Sequence, residues 1–144
     1  MDNHHTQISI GILIYKDNNI LFGKTVDKYI LPVGHLEYME SFNDCAKREV
    51  LEECGIKIKD IELQYISNTN SYKPKHYIHI GLKAQWESAE PQVLEQGAIL
   101  EWQWIDENNT PTNVSKGTQL TLRALKEGCN IYDLNDDAPP LQQS

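Results

Sequence analysis

Residues 34–56 read GHLEYMESFNDCAKREVLEECGI, and the fold of the chain is decided by how this stretch is understood. Ser41 is a side-chain acceptor suited to start a helix, with Asp44 three residues on as a short variant of the capping-box acid. The residues to Cys54 are mostly helix-compatible, and Gly55 stands where a left-handed residue ends a helix. On such a helix Glu49, Glu52 and Glu53 fall within one arc of about 100°, because separations of three and four residues share a face. Phe42, Ala46, Val50 and Cys54, each four apart, trace a neighbouring apolar stripe that would anchor the helix to a sheet.

Taken alone, the acidic edge is unfavourable. Each like-charge pair, Glu49 with Glu52 and Glu49 with Glu53, costs about 0.2 to 0.5 kcal/mol on an exposed helix. Glu52 and Glu53 also lie in the last turn, where the helix dipole disfavours an anion by about 0.3 to 1 kcal/mol. A hard cation with oxygen ligands reverses both effects, and magnesium is commonly held by one or two carboxylates together with substrate phosphates. The bland alternative is a solvated acidic face with Lys47 and Arg48 as ordinary surface neighbours. The helix by itself does not choose between the two.

The surrounding residues do. Gly34, then Glu40 after five residues, then Arg48-Glu49-Val50-Leu51-Glu52-Glu53-Cys54-Gly55-Ile56 after seven, resembles the complete Nudix box, with nine constrained positions matched in 23 residues. The resemblance implies an α+β fold, the Nudix α/β/α sandwich with a mixed β-sheet between helices. It implies that Glu52 and Glu53 are the principal Mg2+ ligands, with Mn2+ as a substitute. Glu49 becomes a further ligand or the general base, and the Gly34 carbonyl a backbone ligand. Arg48 would orient the glutamates and Glu40 would support them from the loop. The implied reaction is attack of an activated water on a phosphorus of a nucleoside diphosphate joined to some other group, which agrees with the way metal ions and carboxylates assist phosphoryl transfer. Two positions depart from the family pattern: Val33 and Met39 stand where glycines are usual.

Outward from the box, Gln7 to Tyr15 and Ile20 to Gly23 read as strands joined by the turn residues Lys16-Asp17-Asn18-Asn19, a hairpin. Tyr29-Ile30-Leu31 runs into Pro32 and Gly34, and a shaped loop is expected there. Ile61 to Ile66 and His76 to Trp86 read as strands separated by a polar loop, Pro91 to Ala98 as a loop, and Leu100 to Ile105 as a strand. Leu120, Leu122 and Leu125 with Gly128 mark a second helix over Thr118 to Lys126. No repeat or linker suggests a second domain, so residues 1–144 are taken as a single Nudix hydrolase domain with a loose tail from about residue 133.

Composition narrows the partners. A net charge of −8 repels a nucleic acid polymer, and no basic run offsets it. The longest apolar runs are strand-sized, far short of the roughly 20 residues that span a bilayer, so no membrane role is expected. Cys45, Cys54 and Cys129 form no CxxC pair, and Met1 to His5 lack the basic and apolar regions of a secretory signal. Reduced thiols in a cytoplasmic protein are therefore expected. Gly23-Lys24-Thr25 is not a phosphate-binding loop, because Asn18 stands where its first glycine is needed.

Beyond the box, Pro32-x-Gly34-His35-Leu36-Glu37, His76-Tyr77-Ile78, Leu94-Glu95, Trp102-x-Trp104 and Leu125-Lys126-Glu127-Gly128 resemble the MutT-type nucleoside triphosphate diphosphatases. This implies release of pyrophosphate from a nucleoside or deoxynucleoside triphosphate, and it is compatible with a homodimer. By placement Glu95 is a candidate metal ligand, otherwise a solvated loop acid. His35, Tyr72, Tyr77 and Trp102 are candidates for contact with a small nucleotide substrate. Trp102 and Trp104 are read as pointing to opposite faces of their strand, with core packing as the competing use of either ring. Two alternatives stay open: hydrolysis of another nucleoside diphosphate derivative, such as a dinucleoside polyphosphate or nucleotide sugar, and a non-catalytic nucleotide-binding module.

Overall fold

The computed structural model describes residues 4–128 and 131–134. β1 (Thr6–Lys16) is apolar on both faces, as a strand covered from two sides must be. Ile10, Ile12 and Ile14 point into one core and Leu13 and Tyr15 into another. Along one edge β1 pairs in parallel with β6 (His76–Ser88), from Thr6 opposite His76 to Tyr15 opposite Gln85. Its other edge is shared. β4 (Val33–His35) takes Ser9 to Gly11, whereas β2 (Asn19–Lys24) takes Tyr15 and Lys16. Between them the Ile12 N–H donates to the Pro32 carbonyl at 2.9 Å.

The remaining strands of the sheet are β3 (Tyr29–Ile30), β5 (Lys57–Thr69), β7 (Glu101–Asp106) and β8 (Ile131–Leu134). The order is β3-β2-β1-β6-β5-β8, with β4 on β1 and β7 on β2. Helix α1 (Phe42–Cys54) lies on the face of Ile10, Ile12 and Ile14, and α2 (Lys116–Glu127) covers Leu13, Phe22 and Tyr65 on the other. This is the expected α/β/α sandwich around a mixed sheet. Both helices are capped as the sequence demands: Ser41 Oγ accepts from the Asp44 N–H at 3.0 Å, and Gly55 sits at φ 72°. Ser115 and Gly128 do the same for α2. Among the described residues no helix is long and apolar enough to cross a membrane.

Several expectations need correction. Phe42 is half exposed, and Cys45 is buried in its place beside Ala46, Val50 and Cys54. Four-residue steps drift by about 40° each, so the two ends of that stripe diverge by about 120° and cannot both face the sheet. Trp102 and Trp104 lie on one face, not two, because strand residues two apart share a face. Both rings pack against the α1-side core. The loop expected before the box contains strand β4, and β5 runs well past Ile61–Ile66 through register shifts at Lys59/Glu62 and Leu63/Tyr65. Such bulges break the alternation by which a strand is read. Asp133 and Leu134, assigned to the tail, close β8 in parallel with β5. The rest of that tail, and Cys129, lie outside the described residues.

Met39, where the family pattern has glycine, adopts φ 64°. An L-residue there costs about 1 to 2 kcal/mol, against about 0.5 to 1 kcal/mol of chain entropy lost by a glycine. Its side chain is 86% exposed, so its removal forfeits little burial. Met39→Gly is expected to stabilise the fold by up to about 1 kcal/mol in urea unfolding; a loss of stability would show that Met39 is held by something other than its backbone.

Candidate active site

The site begins with a close approach. Gly34 in β4 lies so near α1 that a Cβ there would overlap the carboxylate of Glu49. Any side chain at this position would displace Glu49 from the helix edge. Glu49 is mostly covered, at 13% side-chain exposure, whereas Glu52 is 51% exposed.

Arg48 organises this edge. Its guanidinium donates to both oxygens of Glu40, Nε to Oε2 at 2.7 Å and Nη2 to Oε1 at 2.9 Å. Nη1 donates to Glu49 Oε1 at 2.7 Å and, more weakly, to Glu52 Oε2 at 3.4 Å. Nη2 also reaches the His35 carbonyl at 3.1 Å, tying the end of β4 to the helix. A two-pronged, charge-assisted clasp fixes orientation as well as distance. Glu40 is held at a pKa of about 2, chiefly by the Arg48 hydrogen bond, and the same contacts raise that of Arg48.

Glu53 points elsewhere. It shares a small cavity with Glu95 and Trp102, under Val33. Among the described residues its Oε2 is buried without a hydrogen-bond partner, as is the Trp102 indole N–H. Burial first, then the charges of Glu49 and Glu95, push the Glu53 carboxyl up to about 8, although the Val33 N–H works in the opposite direction. Glu95 thus lies beside Glu53 at the acidic edge. Among the described residues no three His, Cys, Asp or Glu side chains stand together in a closed cation-binding set. The like charges of the edge are instead divided, with Glu49 turned to Arg48, Glu52 toward solvent and Glu53 inward. The donor set is still of the right chemistry for a hard cation, since it consists of carboxylate oxygens, one of them buried and unpartnered.

On the other side of β4 lies a cavity of about 400 Å³ between the sheet and α2. Val33 and His35 line it, while Gly34 between them faces Glu49. His35 stacks on Tyr77 with ring centroids 5.9 Å apart and planes 7° apart, and Tyr72 meets Tyr77 edge-on at 5.8 Å. Of the substrate candidates, His35, Tyr72 and Tyr77 are therefore gathered at one cavity, whereas Trp102 belongs to the small cavity of Glu53. Ser9 and His79 also line the large cavity and were not singled out from the sequence. Alternation places them on one face of adjacent strands, a signal that becomes readable only once β1 and β6 are known to be neighbours.

A family model described as the NUDIX domain matches residues 5–124. The chain belongs to the Nudix family. Solved structures with the same fold include a MutT Nudix hydrolase from Burkholderia pseudomallei, with TM-score 0.75 and 22% identity, covering 85% of this chain and 99% of that one. A Nudix hydrolase from Nitrosomonas europaea matches with TM-score 0.72 and 20% identity over 93% of this chain and 100% of its own. The Nudix domain of Shewanella oneidensis NrtR, solved with ADP ribose, matches with TM-score 0.65 and 13% identity over 89% and 90% of the two chains.

Glu53 makes the stability of this Nudix protein depend on pH. Its folded carboxyl holds a proton up to about pH 8 that an ordinary carboxyl releases near 4.5, so without a cation stability falls as pH rises through that window. Glu40 contributes in the opposite sense, its share being lost as pH falls toward about 2. In EDTA, Tm is expected to decline between about pH 5 and pH 8 and to recover on addition of Mg2+, and Glu53→Gln is expected to flatten the decline. A wild-type Tm independent of pH across that window, or an equal decline in Glu53→Gln, would remove Glu53 as its cause.

Proposed function

We propose that the protein is a Mg2+-dependent nucleoside triphosphate diphosphatase, converting a nucleoside or deoxynucleoside triphosphate to the monophosphate and pyrophosphate. The observation that carries this reading is the pairing of two features across β4: a carboxylate edge with a buried, unpartnered Glu53 oxygen, and a cavity with an aromatic mouth. The first suits a cation and polyphosphate, and the second suits a base.

In this reading Glu52 and Glu53 hold the cation, with the Gly34 carbonyl and Glu95 as further ligands. A divalent cation so bound supplies neutralisation of charge on phosphoryl oxygens and a lowered water pKa. Glu49 either joins the ligands or takes a proton from the attacking water. Arg48 keeps Glu49 aimed, and Glu40 keeps Arg48 in place. His35, Tyr72 and Tyr77 contact the base, while Trp102 acts as a packing neighbour of Glu53. The net charge of −8 argues against a nucleic acid polymer as partner. Cys45 and Cys54, buried and unbridged, suit a reducing, cytoplasmic setting.

A second reading, hydrolysis of another nucleoside diphosphate derivative, is favoured by one observation: a protein of the same fold holds ADP ribose. Turnover of nucleoside triphosphates, dinucleoside polyphosphates and nucleotide sugars, coupled in parallel to pyrophosphatase and to phosphatase, separates the two by which phosphate is released. Glu52→Gln and Glu53→Gln are each expected to lower kcat by at least about a hundredfold with the fold intact, whereas Glu87→Gln, in the exposed end of β6, leaves it within about twofold. Near-normal turnover in both box variants would falsify the assignment.

A further inference from the structure

We infer that Trp102 is a positioning residue for the cation site, its indole N–H steering the inward-facing carboxylate of Glu53 through one water held in the small cavity under Val33. This rests on the reading of Glu53 as a cation ligand given above. The cavity encloses about 60 Å³ and is walled mostly by aliphatic side chains, Leu31 and Ile99 among them. Two of the side chains that line it, Glu53 and Trp102, each carry a buried polar atom that no hydrogen bond satisfies among the described residues. One is an acceptor and the other a donor. An unmatched buried polar group is costly and native structures keep few of them, so two complementary ones at one small space call for a common partner. A space of this size admits a water, and Glu53, Trp102 and Glu95 supply the several polar neighbours that a buried bridging water requires.

Trp102 is seated for this task by Gly23. The two stand opposite each other in the antiparallel β2–β7 register, and a Cβ on Gly23 would lie 2.9 Å from Trp102 Cζ3 and 3.2 Å from Cε3. Those carbons form the edge of the indole opposite Nε1, so the ring meets β2 by one edge and keeps its nitrogen on the other. Any side chain at position 23 would push the ring off this seat. From the β4 side Glu53 already meets a donor, the Val33 N–H. A carboxylate held by a backbone N–H from one strand and reached by an indole from another has few orientations left, while its remaining lone pairs stay open to a cation. Partners of this kind aim metal-ligating carboxylates, and losing one weakens a metal site by about ten- to a hundredfold. Trp104 supplies an internal comparison. It lies two residues along, packs against the same core and also keeps a buried indole N–H unpartnered among the described residues, yet it does not line the cavity of Glu53.

The indole N–H resonances of the three tryptophans, assigned in isotope-labelled protein with Trp86→Phe, Trp102→Phe and Trp104→Phe, test the inference without any nucleotide. The Trp102 resonance is expected to move with Glu53→Gln and again when Mg2+ is titrated into the wild type. Those of Trp104 and of Trp86, whose N–H donates to the Ala89 carbonyl at 2.8 Å, are expected to keep their positions. Affinity for Mn2+ alone, read from the electron paramagnetic resonance of the free ion, is expected to fall about tenfold or more in Trp102→Phe and less than about threefold in Trp104→Phe. Thermal unfolding checks that both variants are folded, and the resonances of the wild type and Glu53→Gln carry the test if Trp102→Phe is not tolerated. A Trp102 resonance unmoved by Glu53→Gln, or equal Mn2+ affinity in the two folded Trp→Phe variants, overturns the inference. A Trp102 resonance that answers to Glu53→Gln in a protein that binds neither ion leaves the link between the two side chains standing and removes the cation reading beneath it; cation binding without any response at Trp102 does the reverse.

Discussion

Arg48 is the one cation that the box itself supplies to its acidic edge, and the arrangement of the rest follows from how its guanidinium is divided. Both oxygens of Glu40 and one of Glu49 are satisfied at 2.7 to 2.9 Å, Glu52 receives a weaker contact, and Glu53 receives none from it. These charge-assisted hydrogen bonds offset the repulsion between Glu49 and its acidic neighbours, which an exposed helix would otherwise carry uncompensated. The clasp is nevertheless incomplete. One positive charge cannot neutralise the whole edge, and burial of Glu53 beside Glu49 and Glu95 pushes its carboxyl well above the ordinary carboxylate range.

The two departures from the family pattern have different consequences. Val33 lies in strand β4, where an extended backbone suits a β-branched residue, and its side chain forms wall shared by the large cavity and the Glu53 cavity. The valine therefore does not strain the backbone. Its effect is steric, as one side chain that lines both spaces. Met39 is the reverse case, a backbone held at φ 64° with its side chain in solvent. Strain there is local to the loop, since the neighbouring Glu40 is fixed by Arg48 and by the Glu37 N–H at 3.1 Å.

The helices and the box were legible because their signals are local: caps at Ser41 and Gly55, three-and-four spacing of the glutamates, and Gly34 at a fixed distance from Glu49. Strand partners were legible only as far as a hairpin turn announces them, as at Asp17-Asn18. β8 and the parallel β1–β6 pairing join residues about seventy apart, for which no short-range pattern exists. The error over Trp102 and Trp104 was of another kind: a two-residue repeat in a strand puts both rings on one face, and that face is the α1-side core. His79 and Ser9 escaped notice for the same reason as β8, since a serine and a histidine 70 residues apart mean nothing until the register brings them together.

The division of the second edge of β1 explains why two unlike spaces lie so close together. Had β2 run the full length of β1, the segment from Tyr29 to His35 would have been excluded from the sheet. Because β2 leaves after Tyr15 and Lys16, β4 can enter at Ser9 to Gly11, with Leu31 and Pro32 bridging the gap. Alternation in a three-residue strand then separates the chemistry: Gly34 turns its bare face to Glu49, and Val33 and His35 turn theirs to the aromatic cavity. A ligand with an anionic end and a planar end can straddle such a wall, one end on each side. The wall must be bare at Gly34 for Glu49 to lie against it and substituted at its neighbours for the cavity to keep its shape. A single glycine between two side-chain-bearing residues satisfies both conditions, and it can do so only in extended backbone.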